Sequence, residues 1–406
     1  MHPKDLAIED FSYNLPPEKI ALYPAKPRDS SRLLIFNKGA ISEDIYRHID
    51  KYLPGDCTLI FNDTRVIKSR VLFQKTTGSV IEVFCLEPYE KFRDYDSFFQ
   101  QTGSVLWQCM IGKAGKWKEG QLSKTILIDN VEVMLTAQLT EKLPDSYIVQ
   151  FSWTPPHYTF GEVISAAGVT PLPPYIKRSA DKEDEVSYQT VYSKHDGSVA
   201  APTAGLHFTK EMMNNLHQNG VSTLFTTLHV GAGTFKPVKS GTMDGHIMHT
   251  EWMNISIDFL EKLLQNLEHK IISVGTTSTR TLESIYWMGN KILHKENISE
   301  ADLQISQWEV YEPQKTHSPR EAVTALIEWI QGRQETHLTI ETGIIIAPEY
   351  KFKITQGLIT NFHQPKSTLL LLVAALAGND WRKIYDYALK HPFRFLSYGD
   401  GCLIIP

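Results

Sequence analysis

A change of period near Gly161 constrains this chain most. Upstream, between Val71 and Phe151, short β-rich runs at 79–86, 106–111, 124–128 and 147–151 are broken by Gly and Asp/Asn turns. Downstream, helical segments with recognisable ends alternate with strands. A helix is expected over 209–218, stopped by Gly220, followed by a strand over 222–230 that runs into Gly231-Ala232-Gly233. A second strand, 271–274, passes through Gly275-Thr276-Thr277 into a helix beginning near Ser278. Pro365-Lys366-Ser367-Thr368 opens a helix that runs to Gly378; Asn379 or Asp380 caps the next one, which Pro392 closes. The pattern predicts a multi-domain α+β fold. A larger mixed α/β domain, 1–62 with 153–406, carries a small all-β, barrel-like domain, 63–152, as an insertion. A length of 406 residues suits that division.

Charge sets limits on partners. With 41 basic and 46 acidic residues the net charge is −5, so a polyanion would have to be held by a local patch. Cys57, Cys85, Cys109 and Cys402 stand far apart with no Cys-x-x-Cys pair, which points to reduced thiols and away from a zinc site or a disulfide scaffold. No apolar leader is read in the first ten residues, and the greasiest run, 369–377, is about half a membrane span. A cytoplasmic chain with no membrane association is expected.

Several loops hold more Gly, Thr, Arg and His than turns require. His229-Val230-Gly231-Ala232-Gly233-Thr234-Phe235 follows a strand, and its small residues would let a ligand approach the backbone. Lys236-Pro237 stands where a dinucleotide-type loop would start a helix, so that fingerprint fails, and a tight turn suits the spacing equally. Gly275-Thr276-Thr277-Ser278-Thr279-Arg280 offers free N–H groups, hydroxyls and a guanidinium to a carboxylate or phosphate, or is plain capping with a solvated Arg280. His207, His229, His246, His249 and His363 fall in the second half. His246 and His249 are three apart and precede Glu251, but no third ligand stands at helical spacing, so no metal is expected, and proton transfer or hydrogen bonding is the better use. Arg65, Lys68 and Arg70, the turn with Lys113, Lys116 and Lys118, and Lys177, Arg178 and Arg394 are either solvated faces or phosphate contacts.

Taken in order, a series of blocks is similar to one family. They include Phe11-Ser12-Tyr13-Asn14-Leu15-Pro16, Arg28-Asp29-Ser30-Ser31-Arg32, Phe61-Asn62-Asp63-Thr64-Arg65-Val66 and Tyr188-Gln189-Thr190-Val191-Tyr192. The most distinctive runs from Gly197 through Ala201-Pro202-Thr203-Ala204-Gly205-Leu206-His207-Phe208-Thr209. The stretch from His229 to Val238, then Met248-His249-Thr250-Glu251, Gly275 to Ser284, Thr360-Asn361-Phe362-His363 and Ser397-Tyr398-Gly399-Asp400 complete the series. The chain resembles the S-adenosylmethionine:tRNA ribosyltransferase-isomerase family of queuosine biosynthesis. Two stretches, 88–104 and 287–341, fall outside the resemblance and read as peripheral insertions. Where the family has Arg, Leu and Gly, this chain has Ser187, Gln364 and Glu349.

The resemblance implies that the ribose of S-adenosylmethionine is transferred to the aminomethyl group of a 7-deazaguanine at the tRNA wobble position and isomerised to give epoxyqueuosine. Adenine and methionine leave. S-adenosylmethionine is then a substrate, and no prosthetic group is implied. The residues it points to are His207 or His249 for proton transfer and Asp63 and Glu251 for ribose hydroxyls or charge balance. His229, Gly231, Gly233 and Thr234 would lie against the adenosyl group, with Thr276 and Arg280 on the methionine carboxylate. Bland alternatives stand beside two of these: Asp63 as a turn cap, His229 as a satisfied core residue. Arg28, Arg32, Arg65, Arg70 and Arg394 are the expected contacts to the anticodon loop of a tRNA, and a monomer is expected. Two other functions remain open at this point. The Gly231-Ala232-Gly233 loop suits an S-adenosylmethionine-dependent RNA methyltransferase, and Ser187, Gln364 and Glu349 suit a non-catalytic tRNA-binding paralogue.

Overall fold

Four parallel strands carry the core of the larger layer. The computed structural model describes residues 2–406 apart from 76, 90–94, 118–119, 232, 234–237 and 239. A nine-stranded sheet has the spatial order His337–Thr342, Glu251–Ser256, Ser222–His229, Cys57–Asn62, Lys270–Val274, Gly357–Asn361, Gly401–Ile405, Arg32–Asn37, Ala40–Ile45. Ser222–His229, Cys57–Asn62, Lys270–Val274 and Gly357–Asn361 run parallel to one another, and the strands beyond Ser222–His229 and Gly357–Asn361 pair antiparallel with them. Cys57–Asn62 is buried throughout, as a central parallel strand with covered faces must be. The chain places Ser222–His229 on one side of it and Lys270–Val274 on the other, so the loops leaving those two strands part. In sheets of this kind the crevice where they part is where ligands bind.

A second sheet of seven antiparallel strands runs Gly168–Val169, Arg70–Gln74, Val80–Pro88, Ser104–Gly112, Tyr147–Thr154, Val131–Lys142, Leu122–Ile128. It curls around its own core of Val71, Phe73, Trp107, Phe151 and Phe160. The helix Phe160–Ala167, with a Thr159/Glu162 capping box, plugs the curl, and the Lys124 ammonium donates to the Ala167 carbonyl across the open seam at 2.8 Å. By hydrogen bonding this unit spans Arg70 to Val169, because Thr64–Val66 pairs instead with His195–Ser198 in a separate two-stranded ribbon.

The two stretches read as peripheral insertions are integral. Within 287–341, Trp287, Met288, Leu303, Leu326, Ile330 and Leu338 all belong to the largest hydrophobic cluster, and His337–Thr342 is an edge strand of the large sheet. The helix Pro319–Gly332, opened by a Ser318/Glu321 capping box with Pro at its start, lies against the helix Thr276–Ile292. Within 88–104, Phe98 and Phe99 fill the core of the curled sheet, and Tyr95 stacks on His229 with centroids 4.2 Å apart. Neither stretch has the low apolar content of a surface loop.

Two predictions follow from backbone geometry. A Cβ on Gly289 would meet the Ala322 carbonyl oxygen at 1.9 Å where the two helices cross. Gly289→Ala should therefore lower stability by about 1–3 kcal/mol, read as a lower urea midpoint, although Ala favours helices elsewhere. Glu349 is exposed and held at φ +79°, where the family has Gly, so Glu349→Gly should raise the same midpoint by about 1 kcal/mol.

Candidate active site

Two adjoining hollows open at the C-terminal ends of the parallel strands. The first is a narrow, mostly apolar slot with Ala200, Ala204, Val230, Phe362 and Leu396 among its walls. Thr276, Thr277 and Asn361 supply polar atoms to it. The second, wider hollow is lined by Gly231, Gly233, His249, Glu251 and Arg280, and by Met110 and Asp145 from the curled sheet. Leu369 belongs to both. Thr276 and Arg280 lie one turn apart on the same helix, so a ligand in the slot would have the second hollow about 6 Å away along the axis.

Local sequence explains the shape. Gly275 leaves its strand at φ +93° and starts the helix Thr276–Ile292. Ser367 caps the helix Thr368–Ala377, its hydroxyl accepting from the Leu370 N–H at 3.2 Å. A side chain at 233 would collide with His249, a Cβ there falling 2.4 Å from His249 Cδ2. This close approach is a reason for glycine at that position.

In the second hollow Arg280 and Glu251 form an ion pair with both side chains about 5% exposed. Arg280 Nε donates to the Ile344 carbonyl at 3.2 Å, Nη1 donates to Glu251 Oε2, and Nη2 is buried with no protein partner. A buried donor left unmade costs about 1–3 kcal/mol, which a ligand acceptor would recover. His249 lies beside this pair with its imidazole exposed to the hollow. The structure thus brings together Gly231, Gly233, His249, Glu251, Arg280 and, through the helix, Thr276. Thr234 lies outside the described residues. No group of three or more potential metal ligands occurs among the described residues.

His207, His229 and Asp63 stand apart from that group. His207 is buried and stacks on Tyr46 at 4.3 Å, with Nδ1 2.9 Å from Ser31 Oγ and Nε2 3.2 Å from Asn361 Nδ2. Burial lowers its pKa to about 3, so it is neutral with both nitrogens engaged, and it does not suit the proton-transfer role expected for it. His229 is also buried, its Nδ1 3.2 Å from Thr64 Oγ1 and its ring under Tyr95. Gly197 makes room for it, since a Cβ there would fall 2.6 Å from His229 Nδ1. Asp63 accepts from Thr227 Oγ1 at 2.7 Å, lies 3.9 Å from His195 Nε2, and faces a different depression between Ser222–His229 and Glu251–Ser256. Burial pushes its carboxyl pKa up. Asn361 and Thr277 fall in stretches the sequence marks, but neither has an individual role there. Their signal was position, one at the end of a parallel strand and the other just inside a helix N-terminus.

The five arginines expected on RNA are partly committed to the fold. Arg28 donates to the carbonyls of Gln189 and Val186, at 2.9 and 3.3 Å. Arg70 reaches Glu82 and the Leu172 carbonyl and lies over Phe84. Arg394 reaches Asp400 and the Tyr23 carbonyl, and Arg32 pairs with Glu43 over the Phe393 ring. Arg65 is the most exposed of the five in an ion pair, its side chain 56% exposed and 3.8 Å from Asp196.

Burial holds His207, His229 and His363 at a pKa of about 3, against 6.5 for an unfolded imidazole. The unfolded chain therefore takes up protons that the folded chain refuses. The stability these groups contribute is complete above pH 6.5 and declines as pH falls towards 3, by about 1.4 kcal/mol per pH unit for each. Urea midpoints measured at pH 7.5 and 5.5 should show this decline, and His363→Gln should flatten it by one proton's worth.

Comparison with known proteins identifies the family. The family described as queuosine biosynthesis protein matches residues 8–404. Proteins named S-adenosylmethionine:tRNA ribosyltransferase-isomerase are similar along nearly the full length. That of Desulfitobacterium hafniense is 36% identical over 406 residues, with 98% of this chain and 100% of the relative covered. That of Sulfurihydrogenibium sp. is 37% identical over 407 residues, with the same coverage. The crystal structure of S-adenosylmethionine tRNA ribosyltransferase from Thermotoga maritima is 27% identical, with a TM-score of 0.45, and covers 98% of this chain and 100% of that one. On the extent of the family match and the identity to full-length relatives, the chain belongs to the queuosine biosynthesis protein family.

Proposed function

We propose that this chain is an S-adenosylmethionine:tRNA ribosyltransferase-isomerase. It moves the ribose of S-adenosylmethionine to the aminomethyl group of a 7-deazaguanine in the tRNA anticodon, forms the epoxy-cyclopentanediol of epoxyqueuosine, and releases adenine and methionine. The observation that carries this reading is the two-part cleft: a mostly apolar slot, joined within one helical turn to a hollow lined by Arg280, whose Nη2 has no protein partner, and by an exposed imidazole.

The roles follow from what each group can reach. Arg280 Nη2, in the second hollow, takes the methionine carboxylate. Glu251 holds Arg280 in place and offsets its charge, so its work is positioning. The sulfonium acidifies the C5′ hydrogens, and His249 is the base that removes one as adenine departs and the furanose opens. The exocyclic amine of the tRNA base then attacks, and methionine leaves as the epoxide closes. Asp63 and His207 stay outside the reacting group. The hollow opens between the large sheet and the curled sheet, where a splayed anticodon nucleotide would enter as a single strand, with Arg65 among the cations available to its phosphates. No helix among the described residues is long and apolar enough to cross a membrane. A cytoplasmic monomer meeting free tRNA fits the reading.

The test is turnover with S-adenosylmethionine and tRNA carrying the 7-aminomethyl-7-deazaguanine base. Equal amounts of adenine and methionine are expected. S-adenosylhomocysteine would mark a methyltransferase, and an untouched donor with tRNA bound would mark a non-catalytic binder. His249→Ala should lower kcat by about 10²–10⁴ with little change in KM, while Arg280→Met should chiefly raise KM for the donor.

A further inference from the structure

His207 carries a motif histidine that the reaction does not use, and its hydrogen bonds settle the orientation of a neighbour. The Ser31 hydroxyl has one proton, and it donates that proton to the Arg28 carbonyl at 2.8 Å. Ser31 Oγ must therefore accept from His207 at 2.9 Å, which puts the imidazole proton on Nδ1. His207 Nε2 is then an acceptor, and the group facing it at 3.2 Å has to be the NH₂ of Asn361. The second Asn361 proton goes to the Leu396 carbonyl, also at 3.2 Å. Leu396 is held at φ +70°, an uncommon conformation for a bulky residue, and strain of this sort tends to gather at binding sites. With both protons engaged, the Asn361 amide cannot flip.

Its oxygen is left over. Asn361 is 2% exposed, lines the slot, and its Oδ1 has no partner in the protein. Thr277 Oγ1, in the same slot, is also buried without a partner. Most of the slot's exposed surface is apolar, with Ala200, Ala204, Val230, Phe362 and Leu396 among its walls beside Thr360, His363, Gln364 and Ser397, which suits an aromatic ring with polar edges better than a polyhydroxy sugar.

We propose that the slot is the adenine subsite and that Asn361 Oδ1, fixed by the Ser31–His207 relay, accepts from the 6-amino group and so selects adenine over a 6-oxopurine. This rests on the reading of S-adenosylmethionine as the donor. Asn361 is the specificity-determining residue, and His207 is a positioning residue acting through it. The Thr277 hydroxyl is free to donate to a ring nitrogen. A 6-oxopurine would set its carbonyl oxygen against Asn361 Oδ1, and the amide could turn to meet it only by abandoning His207 Nε2 and the Leu396 carbonyl.

The experiment compares S-adenosylmethionine with its hypoxanthine analogue. Wild-type protein should prefer the adenosyl compound by about a hundredfold in kcat/KM. Use of both within threefold overturns the proposal without any variant having to fold. Asn361→Leu should raise KM for S-adenosylmethionine about tenfold and remove most of the preference. His207→Gln, whose side-chain oxygen can accept in place of Nε2, should keep the preference, and His207→Leu should lose it while the pH–rate profile stays that of the wild type. A preference untouched in His207→Leu and Asn361→Leu, or a pH profile altered in His207→Gln, overturns it. Absent turnover of either compound by wild-type protein marks failure of the donor reading. Calorimetric binding of the same two compounds then decides the subsite: a large adenosyl preference upholds it and equal affinities refute it.

Discussion

Burial of a polar helix is the constraint around which the rest of the molecule is arranged. From Thr276 to Asn290 every side chain of the helix Thr276–Ile292 is buried, though the sequence there carries Thr, Ser, Arg, Glu and Asn. Such a helix is stable only if each polar group finds a partner inside the protein. Ser278, Thr279 and Thr281 donate back to the carbonyls of Val274, Gly275 and Thr277. Glu283 accepts from the N–H groups of Lys353, Ile354 and Thr355 and from the Tyr350 hydroxyl, so one carboxylate fixes the chain just before the strand that ends in Asn361. Ser284 meets Thr342, and Asn290 meets the backbone of Lys315 and His317. The exceptions are Thr277 Oγ1 and, one turn into the helix, Arg280 Nη2, which stays unmade although Arg280 is paired with Glu251; both residues line the cleft.

The same constraint accounts for the segment 287–341. A polar helix needs covering on its outer side as well, and the residues that cover it come from this segment: the Lys315 and His317 backbone, and the helix Pro319–Gly332 packed where Gly289 lets two backbones meet. In sequence, the Thr, Ser and Arg after Gly275 suggest a solvated face, and that leaves the covering segment with no evident task. Its local signals were nonetheless present. Ser318-Pro319-Arg320-Glu321 is a capping box with proline at the first helical position, and the alternation His337-Leu338-Thr339-Ile340 suits an edge strand. What composition could not provide was the reason for burying them.

The site was legible in kind more than in arrangement. Glycine and capping residues marked where Gly275, Ser367 and Gly378 begin and end elements, because those signals act within four residues. Glu251 and Arg280 meet across 29 positions of sequence, through the antiparallel pairing of Glu251–Ser256 and the first turn of a helix that starts on another strand. Asp63 and His207 sit in motifs as distinctive as those of His249 and Glu251, yet one faces the gap where two strands splay and the other is sealed under Tyr46. Motif membership marks residues that a fold depends on. Only the register of strands separates those that touch a ligand from those that hold its contacts in place.

The RNA side follows from the same reasoning about spent hydrogen bonds. A guanidinium that already donates to a backbone carbonyl, as in Arg28, Arg70 and Arg394, offers a phosphate its charge but not the whole of its donor fork. Replacing such a residue loosens the loop it ties as well as removing a charge, so a loss of tRNA affinity at Arg28 would report on the 186–189 turn as much as on a phosphate. On a chain of net charge −5, affinity for a polyanion then depends on cations that are not engaged in this way and on stacking of unpaired bases. Stacking is insensitive to salt where phosphate contacts are steeply sensitive, so the salt slope of tRNA binding measures how many cations face the RNA with their donors unspent.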